Sequence, residues 1–530
     1  MSTVADLPTF IQALLDPSRY SDDVLCVELQ ETHISWIILA GSYAYKIKKP
    51  VDFGFLNFST LSLRQFYCHE EIRLNSRLAP QLYLEVVSIG GTQEDPGFGV
   101  EPVFEYAVKM QRFPVTQSLD NLCLQQALLP DQIDALAHQL ARFHIGLIPS
   151  TSLATCCDYG SADKIWLAAV ETFHHLQELL PSDDQALLLE LHHACEIAFA
   201  ECRPSLEQRR SEGMVRECHG DLHLGNIVLL EGKPVPFDGI EFDANLRWID
   251  ILSDVAFLVM DLSYRQRADL AYRFLDAYLQ ETGDYAGLTV MRLFLAYRAL
   301  VRAKVSALRS SQGQSSAIQM CRDYLALAKD LLIARLPALM ITYGLPGCGK
   351  STISELIVEK FSVIRLRSDV ERKRLFESTS GESFLKKKGE IYTPQANQRT
   401  YGYLLDLSSQ ILKSGFSVIV DAAFLRRDER LQFQTLAQSL GIAFVILHVD
   451  SDESLIRERL KRRHMCGRDP SDADEGVYTV LKGLNQPLET NEHDFVIPCW
   501  NNGNGFQSEA FLPLWHRLAS MTGLKPFDGR

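Results

Sequence analysis

Two stretches of this sequence have residue types and spacings suited to phosphate chemistry. The first is Gly344-Leu345-Pro346-Gly347-Cys348-Gly349-Lys350-Ser351, followed by Thr352. It fits G-x-x-x-x-G-K-[ST], where glycines let backbone N–H groups turn inward around phosphates with no Cβ in the way. The helix expected to follow adds the partial positive charge of its N-terminus. Lys350 can reach β- and γ-phosphates, and Ser351 can ligate Mg²⁺. A nucleoside triphosphate is the ligand this pattern implies, held by Gly344, Gly347, Cys348, Gly349, Lys350, Ser351 and Thr352. The second stretch is His219-Gly220-Asp221-Leu222-His223-Leu224-Gly225-Asn226. Asp221 and Asn226 are separated by four residues, the D-x-x-x-x-N spacing of a phosphoryl-transfer catalytic loop. There the aspartate can accept a hydroxyl proton and the asparagine can ligate Mg²⁺.

Each set needs elements to position it. Ala338-Leu339-Met340-Ile341-Thr342 reads as a buried strand entering the glycine-rich loop, and Ser351 to Phe361 as a helix leaving it. Asn226 runs into a strand at Ile227–Leu230. Glu231-Gly232-Lys233 is a turn, and Pro234-Val235-Pro236-Phe237 returns to Asp238, placed to bind Mg²⁺ between phosphates. Lys46 lies on a strand over 43–47 and could hold α- and β-phosphates, oriented by a glutamate of a helix over 62–78; Lys48 and Lys49 compete for the role. Further strands are expected at 24–29, 35–39, 82–89 and 104–111, with helices over 1–20, 131–143, most of 161–203 and most of 249–335. After about residue 336, strands at 338–343, 362–366, 416–420 and 443–449 alternate with helices, the pattern of a parallel α/β sheet.

The second region holds further charged groups. Asp369 ends Arg365-Leu366-Arg367-Ser368-Asp369 and would face the carboxyl edge of the sheet as a general base, or cap a helix. Asp421 ends the apolar strand Ser417-Val418-Ile419-Val420 as a carboxylate that could hold Mg²⁺ indirectly. Arg459 and Arg463 or Arg468, in and after a basic helix, are candidate lid cations for a transferring phosphoryl group. A solvated basic helix face is the alternative.

HGDLHLGN, the hairpin and FDGIEFD together resemble the aminoglycoside phosphotransferase and choline kinase group over residues 20–330. That resemblance implies a two-lobed α+β protein-kinase-like fold, Asp221 as catalytic base, Asn226 and Asp238 as metal ligands, and Lys46 on ATP. Glu71 would be the partner of Lys46, with Glu70 as competitor. His219 would brace the loop, and Asp250 and Asp254 would support it or cap a helix. No G-x-G-x-x-G precedes Lys46; only Gly41 is present. Residues 338–500 resemble P-loop kinases of the gluconate kinase, zeta toxin and polynucleotide kinase type, carried by the P-loop, Arg367-Ser368-Asp369 and Asp469-Pro470-Ser471-Asp472-Ala473. The whole chain is similar to bacterial proteins that fuse the two. The expected domains are 1–335 and 336–530, the second an α/β P-loop domain with a mostly parallel sheet.

Totals narrow the function. A length of 530 residues allows two to four domains. The net charge of −14 argues against broad nucleic-acid binding. The 12 cysteines include no C-x-x-C pair, so they read as reduced thiols in a cytoplasmic protein. No basic, apolar N-terminal leader and no membrane-length apolar run is evident. The expectation is a bifunctional enzyme, an ATP-dependent kinase using ATP and Mg²⁺ on small-molecule hydroxyl acceptors. The alternatives are a nucleotide-binding regulatory protein with one silent half, and a kinase of nucleic-acid ends.

Overall fold

The structure is a computed structural model. It describes residues 7–20, 24–54, 56–152, 158–333, 335–377, 393–466, 475–502 and 511–527, side chains of 463–466 excepted. The chain forms two compact units: Met1–Ala169 with Leu206–Asp261, and Val170–Ser205 with Leu262–Arg530. Among the described residues, no helix is long and apolar enough to cross a membrane.

In the first unit, strands β1 (Val27–Glu31), β2 (Ser35–Ala40), β3 (Tyr43–Lys48), β4 (Tyr83–Gly91), β5 (Pro96–Phe98) and β6 (Val103–Gln111) form an antiparallel sheet in the order β1-β2-β3-β6-β4-β5. Strand periodicity sorts its side chains. Trp36, Ile38, Tyr45 and Ile47 pack on one face with Phe10, Ile11 and Leu14. Leu39, Ala44, Val108 and Met110 pack on the other, with Cys68 of the helix Leu61–Asn75. Lys46 and Lys48 are two and four residues beyond Ala44, so both face that helix. Thr60 caps it, accepting from the Leu63 N–H at 3.2 Å. The first strand begins at Val27, later than the sequence suggests, because Val27 pairs with Ala40, the last residue of β2, before the chain turns at Gly41; Leu25 lies beyond that pair and is exposed.

Two small antiparallel pairs frame the HGD segment. Strands β7 (Val215–Glu217) and β10 (Trp248–Asp250) pair with each other, as do β8 (Ile227–Leu230) and β9 (Lys233–Pro236). The β8–β9 turn has positive φ at Glu231 and Gly232, the backbone that a two-residue hairpin requires.

The second unit contains a five-stranded parallel sheet: β11 (Ala338–Tyr343), β12 (Ile364–Arg367), β13 (Val418–Asp421), β14 (Ala443–Asp450) and β15 (Val496–Trp500), ordered β12-β13-β11-β14-β15. Every residue of β11 is buried, as a central parallel strand requires. The edge strand β15 was not legible in the sequence: its alternating exposure and its proline obscure the apolar run. Helices from 262–332 belong to this same unit. Asp276 of the helix Ala268–Thr282 accepts from Arg365 of β12 at 2.7 Å, and both side chains are buried. Arg273 of that helix pairs with Glu355 at 3.3 Å and Glu359 at 2.5 Å on the helix Lys350–Phe361.

Removing one member of a buried ion pair strands the other, at a cost of about 3 kcal/mol. Asp276→Ala should lower the stability of the second unit by that amount, read as the denaturant dependence of amide exchange in β12. Asp276→Ala combined with Arg365→Leu should recover most of the loss.

Candidate active site

The first site is built on buried charge. Lys46 donates through Nζ to Glu71 Oε1 at 2.8 Å and to Asp238 Oδ1 at 2.6 Å. Lys48 donates to the other oxygen of Glu71 at 2.6 Å and also to Glu241. Glu71 has no exposed surface. Burial alone would raise its carboxyl, but the two lysines overcome this and hold it at about 2. Burial would likewise push the Lys46 ammonium down, yet Asp238, Glu71 and Glu241 hold it well above its ordinary range. The geometry separates the competing residues. Lys49 turns away to Glu31 and the Thr32 carbonyl, and Glu70 pairs with Arg73.

The HGD loop is held from beneath. Asp254, fully buried, accepts the N–H groups of His219 at 3.0 Å and Gly220 at 2.9 Å and faces His144 at 3.2 Å. Gly220 has φ +87°, and a Cβ there would sit 2.7 Å from the Leu246 carbonyl oxygen, so this turn demands glycine. His219 accepts the Asp221 N–H through Nδ1 at 3.3 Å and donates from Nε2 to the Phe237 carbonyl at 2.9 Å. Those partners assign the neutral Nε2–H tautomer, and burial keeps the ring's pKa low. Asp250 takes a bidentate contact from Arg209 and caps Leu252. His223 accepts the Gly225 N–H at 3.1 Å and lies 3.5 Å from Asp221. His144, Cys218 and Asp254 have ligating atoms within 4.8 Å of one another. Burial pushes the Cys218 thiol far up, however, and both Asp254 oxygens already accept backbone amides, so the cluster is suited to bracing.

Asn226 donates its amide to Asp221 Oδ2 at 2.9 Å and to the Asp221 carbonyl at 3.0 Å. Its NH₂ group is thus engaged, which leaves the amide oxygen as the atom chemically suited to a cation. The Asp238 side chain is 43% exposed and has φ +61°, a backbone held by the Tyr83 hydroxyl on its N–H at 3.0 Å. Two ammonium groups here face three carboxylates, Glu71, Glu241 and Asp238. The excess negative charge and the oxygen donors fit a hard divalent cation such as Mg²⁺.

In the second site Gly344, Gly347 and Gly349 all have positive φ, and a Cβ on Gly344 would lie 2.2 Å from the Val449 carbonyl oxygen. The loop ends at the helix Lys350–Phe361, with Gly349 as its left-handed cap. Lys350 donates to the carbonyls of Gly344 and Leu345, each at 2.9 Å. Cys348 is fully buried and burial raises its thiol, so it packs the loop. Ser351 is half-buried and Thr352 exposed on the first helical turn. Asp421 is buried at the end of β13, 3.7 Å from Arg367. Asp369 stands half-buried in the first turn of the helix Ser368–Glu377, directly after β12. Ser351 and Asp421 carry oxygen atoms of the kind that a hard divalent cation takes as ligands.

Arg459 donates to the Gly347 carbonyl at 3.4 Å, Ser451 Oγ at 3.1 Å and the Asn501 carbonyl at 2.9 Å, while Asn501 donates to the Cys348 carbonyl at 3.3 Å. It holds the loop through backbone carbonyls. Arg463 is helical, within Glu453–Cys466. Arg468 and the Asp469–Ala473 stretch lie outside the described residues.

Sequence reasoning missed Glu241, Tyr83 and Asn75. Asn75 accepts the Gly239 N–H at 2.7 Å. The signal for Glu241 was its place three residues after Asp238; nothing local marks Asn75, whose role depends on tertiary contact.

Both parts of the chain match known families. Residues 64–294 match the model described as "Phosphotransferase enzyme family", and residues 339–487 match the "AAA domain" model. The chain is 31% identical over 441 residues to the Mycobacterium tuberculosis protein Rv2004c, spanning 82% of this chain and 86% of that one. The chain belongs to the family of two-domain proteins that join an aminoglycoside phosphotransferase-like domain to a P-loop kinase-like domain. Solved structures similar to it include choline kinase from Cryptosporidium parvum, at 11% identity and TM-score 0.39, covering 61% of this chain and 95% of the other. Kti12 from Chaetomium thermophilum, in complex with ADP-AlF3, is similar at 15% identity and TM-score 0.27, covering 34% and 98%.

The depressed Glu71 carboxyl gives a pH prediction. A carboxylate whose folded value lies below its unfolded value adds stability that is complete above the unfolded value, near 4.5, and is lost as pH falls through about 2. Acid unfolding of the first unit should therefore show a component in that window, and Glu71→Gln should remove it.

Proposed function

We propose that the chain is a bifunctional ATP-dependent phosphotransferase. Each proposed half, 1–335 and 336–530, transfers the γ-phosphate of Mg-ATP to a hydroxyl of a small molecule. The observation that carries the reading is Lys46 bridging Glu71 and Asp238, beside an Asn226 amide bonded to Asp221. Phosphoryl transfer asks the protein mainly for positioning and for neutralisation of charge, and these contacts supply both.

In the first half Asp221 is the base. As the acceptor oxygen bonds to the γ-phosphorus, the proton of its hydroxyl passes to the Asp221 carboxylate. The bond to the β–γ bridging oxygen breaks, and ADP leaves with the electron pair. Asn226 and Asp238 would hold Mg²⁺, which when bound supplies charge neutralisation on the phosphates. Lys46 neutralises phosphate oxygens, and Glu71 keeps it aimed. In the second half Lys350 and the loop N–H groups hold phosphates, Ser351 and Asp421 would hold Mg²⁺, and Asp369 is the base. Arg459 acts through the loop backbone, and Arg463 or Arg468 is the proposed lid cation.

One observation favours a second reading, in which the first half binds nucleotide without turnover. The turn between β1 and β2, Thr32 to Ile34, contains no glycine, and the N–H groups of Ile34 and Ser35 are taken by Thr32 Oγ1 at 3.3 and 2.9 Å.

The test is a γ-phosphate transfer screen on Mg-ATP with sugars, aminoglycosides, nucleosides and oligonucleotides as acceptors. A general base contributes about 10²–10⁴-fold, so Asp221→Ala should lower transfer to one acceptor class by at least about 10²-fold. Asp369→Ala should do the same for another class and leave the first unchanged. Transfer that survives both substitutions would refute these assignments.

A further inference from the structure

The buried charges of the first unit form one chain: Asp238, Lys46, Glu71, Lys48 and Glu241. Its two ends lie on the same loop, three residues apart. Its two lysines lie on the same face of β3, two residues apart. Glu71 joins them in the middle with one oxygen on each lysine. The Asp238 end is open, its side chain 43% exposed, while Glu241 and Lys48 are 5% and 1% exposed.

This asymmetry matters because Lys46 has two tasks. It holds Asp238 directly in the structure, yet in the proposed reaction it turns to phosphate oxygens. At that moment the contact between β3 and the 238–241 loop through Lys46 weakens. The contacts that remain on the loop include the Tyr83 hydroxyl on Asp238, Asn75 on Gly239, the Ile240 N–H on the His219 carbonyl at 3.0 Å, Arg247 on the Glu241 carbonyl at 3.0 Å, and Lys48 on the Glu241 carboxylate. Of these, Asn75 also donates to the Glu71 backbone carbonyl at 2.9 Å, but Lys48 is the one that grips the Glu71 carboxylate.

We infer that Lys48 and Glu241 are positioning residues for the metal–nucleotide site, a second lysine–glutamate arm that keeps Glu71 and the Asp238 loop in register while Lys46 engages the nucleotide. This rests on the kinase reading of the first half. Lys48 itself is fully buried beside Phe58, its Nζ 4.8 Å from the ring centre, so it acts without touching the nucleotide. The arm should therefore matter to the part of nucleotide affinity that depends on the metal, and not to the part that does not.

The experiment uses the full chain carrying Lys350→Ala and Ser351→Ala, which disables the P-loop site. AMP-PNP binding is measured by calorimetry with Mg²⁺ and with EDTA. In this background Mg²⁺ should tighten binding by about tenfold or more, the usual size of coupling between two ligands. Adding Lys48→Met should reduce that enhancement to less than about twofold, with metal-free affinity changed by less than about threefold. Lys48→Arg should retain most of it. Glu241→Gln, which preserves shape and so guards against a folding defect of Lys48→Met, should reduce it as Lys48→Met does. Full enhancement in Glu241→Gln, or equal loss of affinity with and without Mg²⁺ in a folded variant, would overturn the inference. Absence of Mg²⁺-enhanced binding in the starting background would instead refute the nucleotide-site reading of the first half, and the inference with it.

Discussion

A charge can be buried only where another charge and good hydrogen bonds meet it, and the first unit is arranged around that constraint. Glu71 is wholly enclosed and carries a lysine on each oxygen. Satisfying it fixes the rotation of the helix Leu61–Asn75 against the sheet and the register of β3. It also fixes where Lys46 points, and so where Asp238 is held. The HGD loop is secured the same way, by the fully buried Asp254. In both cases a buried carboxylate converts a flexible loop into a fixed arrangement of donors and acceptors, which phosphoryl transfer requires.

The second unit solves the same problem with backbone. Positive φ at three glycines turns the loop, and the cap at Gly349 starts the helix that carries Lys350 and Ser351. Arg459 and Asn501 then tie the loop carbonyls from outside. Arg365 reaches the Ser351 carbonyl at 3.4 Å while its other end is anchored on Asp276. The P-loop helix is thus supported by a residue far upstream in the chain, which joins the helices of 262–332 to the P-loop fold as one compact unit.

Much of this was legible in the sequence, for identifiable reasons. The P-loop, the D-x-x-x-x-N spacing and the strands at 338–343 and 443–449 depend on local pattern, and local pattern survives folding. Lys46 and Glu71 could be named only with competitors, because three lysines and two adjacent glutamates look alike along a chain. Lys49 turns to Glu31 and Glu70 to Arg73, whereas Lys46 and Lys48 share a face and differ in their second partner, Asp238 against Glu241. Glu241, Asn75 and Asp276 act across long separations, to which periodicity is blind. The edge strand β15 escaped notice because its exposed positions and Pro498 interrupt the apolar run.

The central claim is that one chain carries two nucleotide sites of different construction. The most direct measurement is the stoichiometry of Mg–AMP-PNP binding to the intact protein by calorimetry. Two equivalents per chain are expected, falling to one with Lys350→Ala and, independently, to one with Asp238→Ala. A single equivalent in the unmodified chain, or no loss of an equivalent with either substitution, would contradict it.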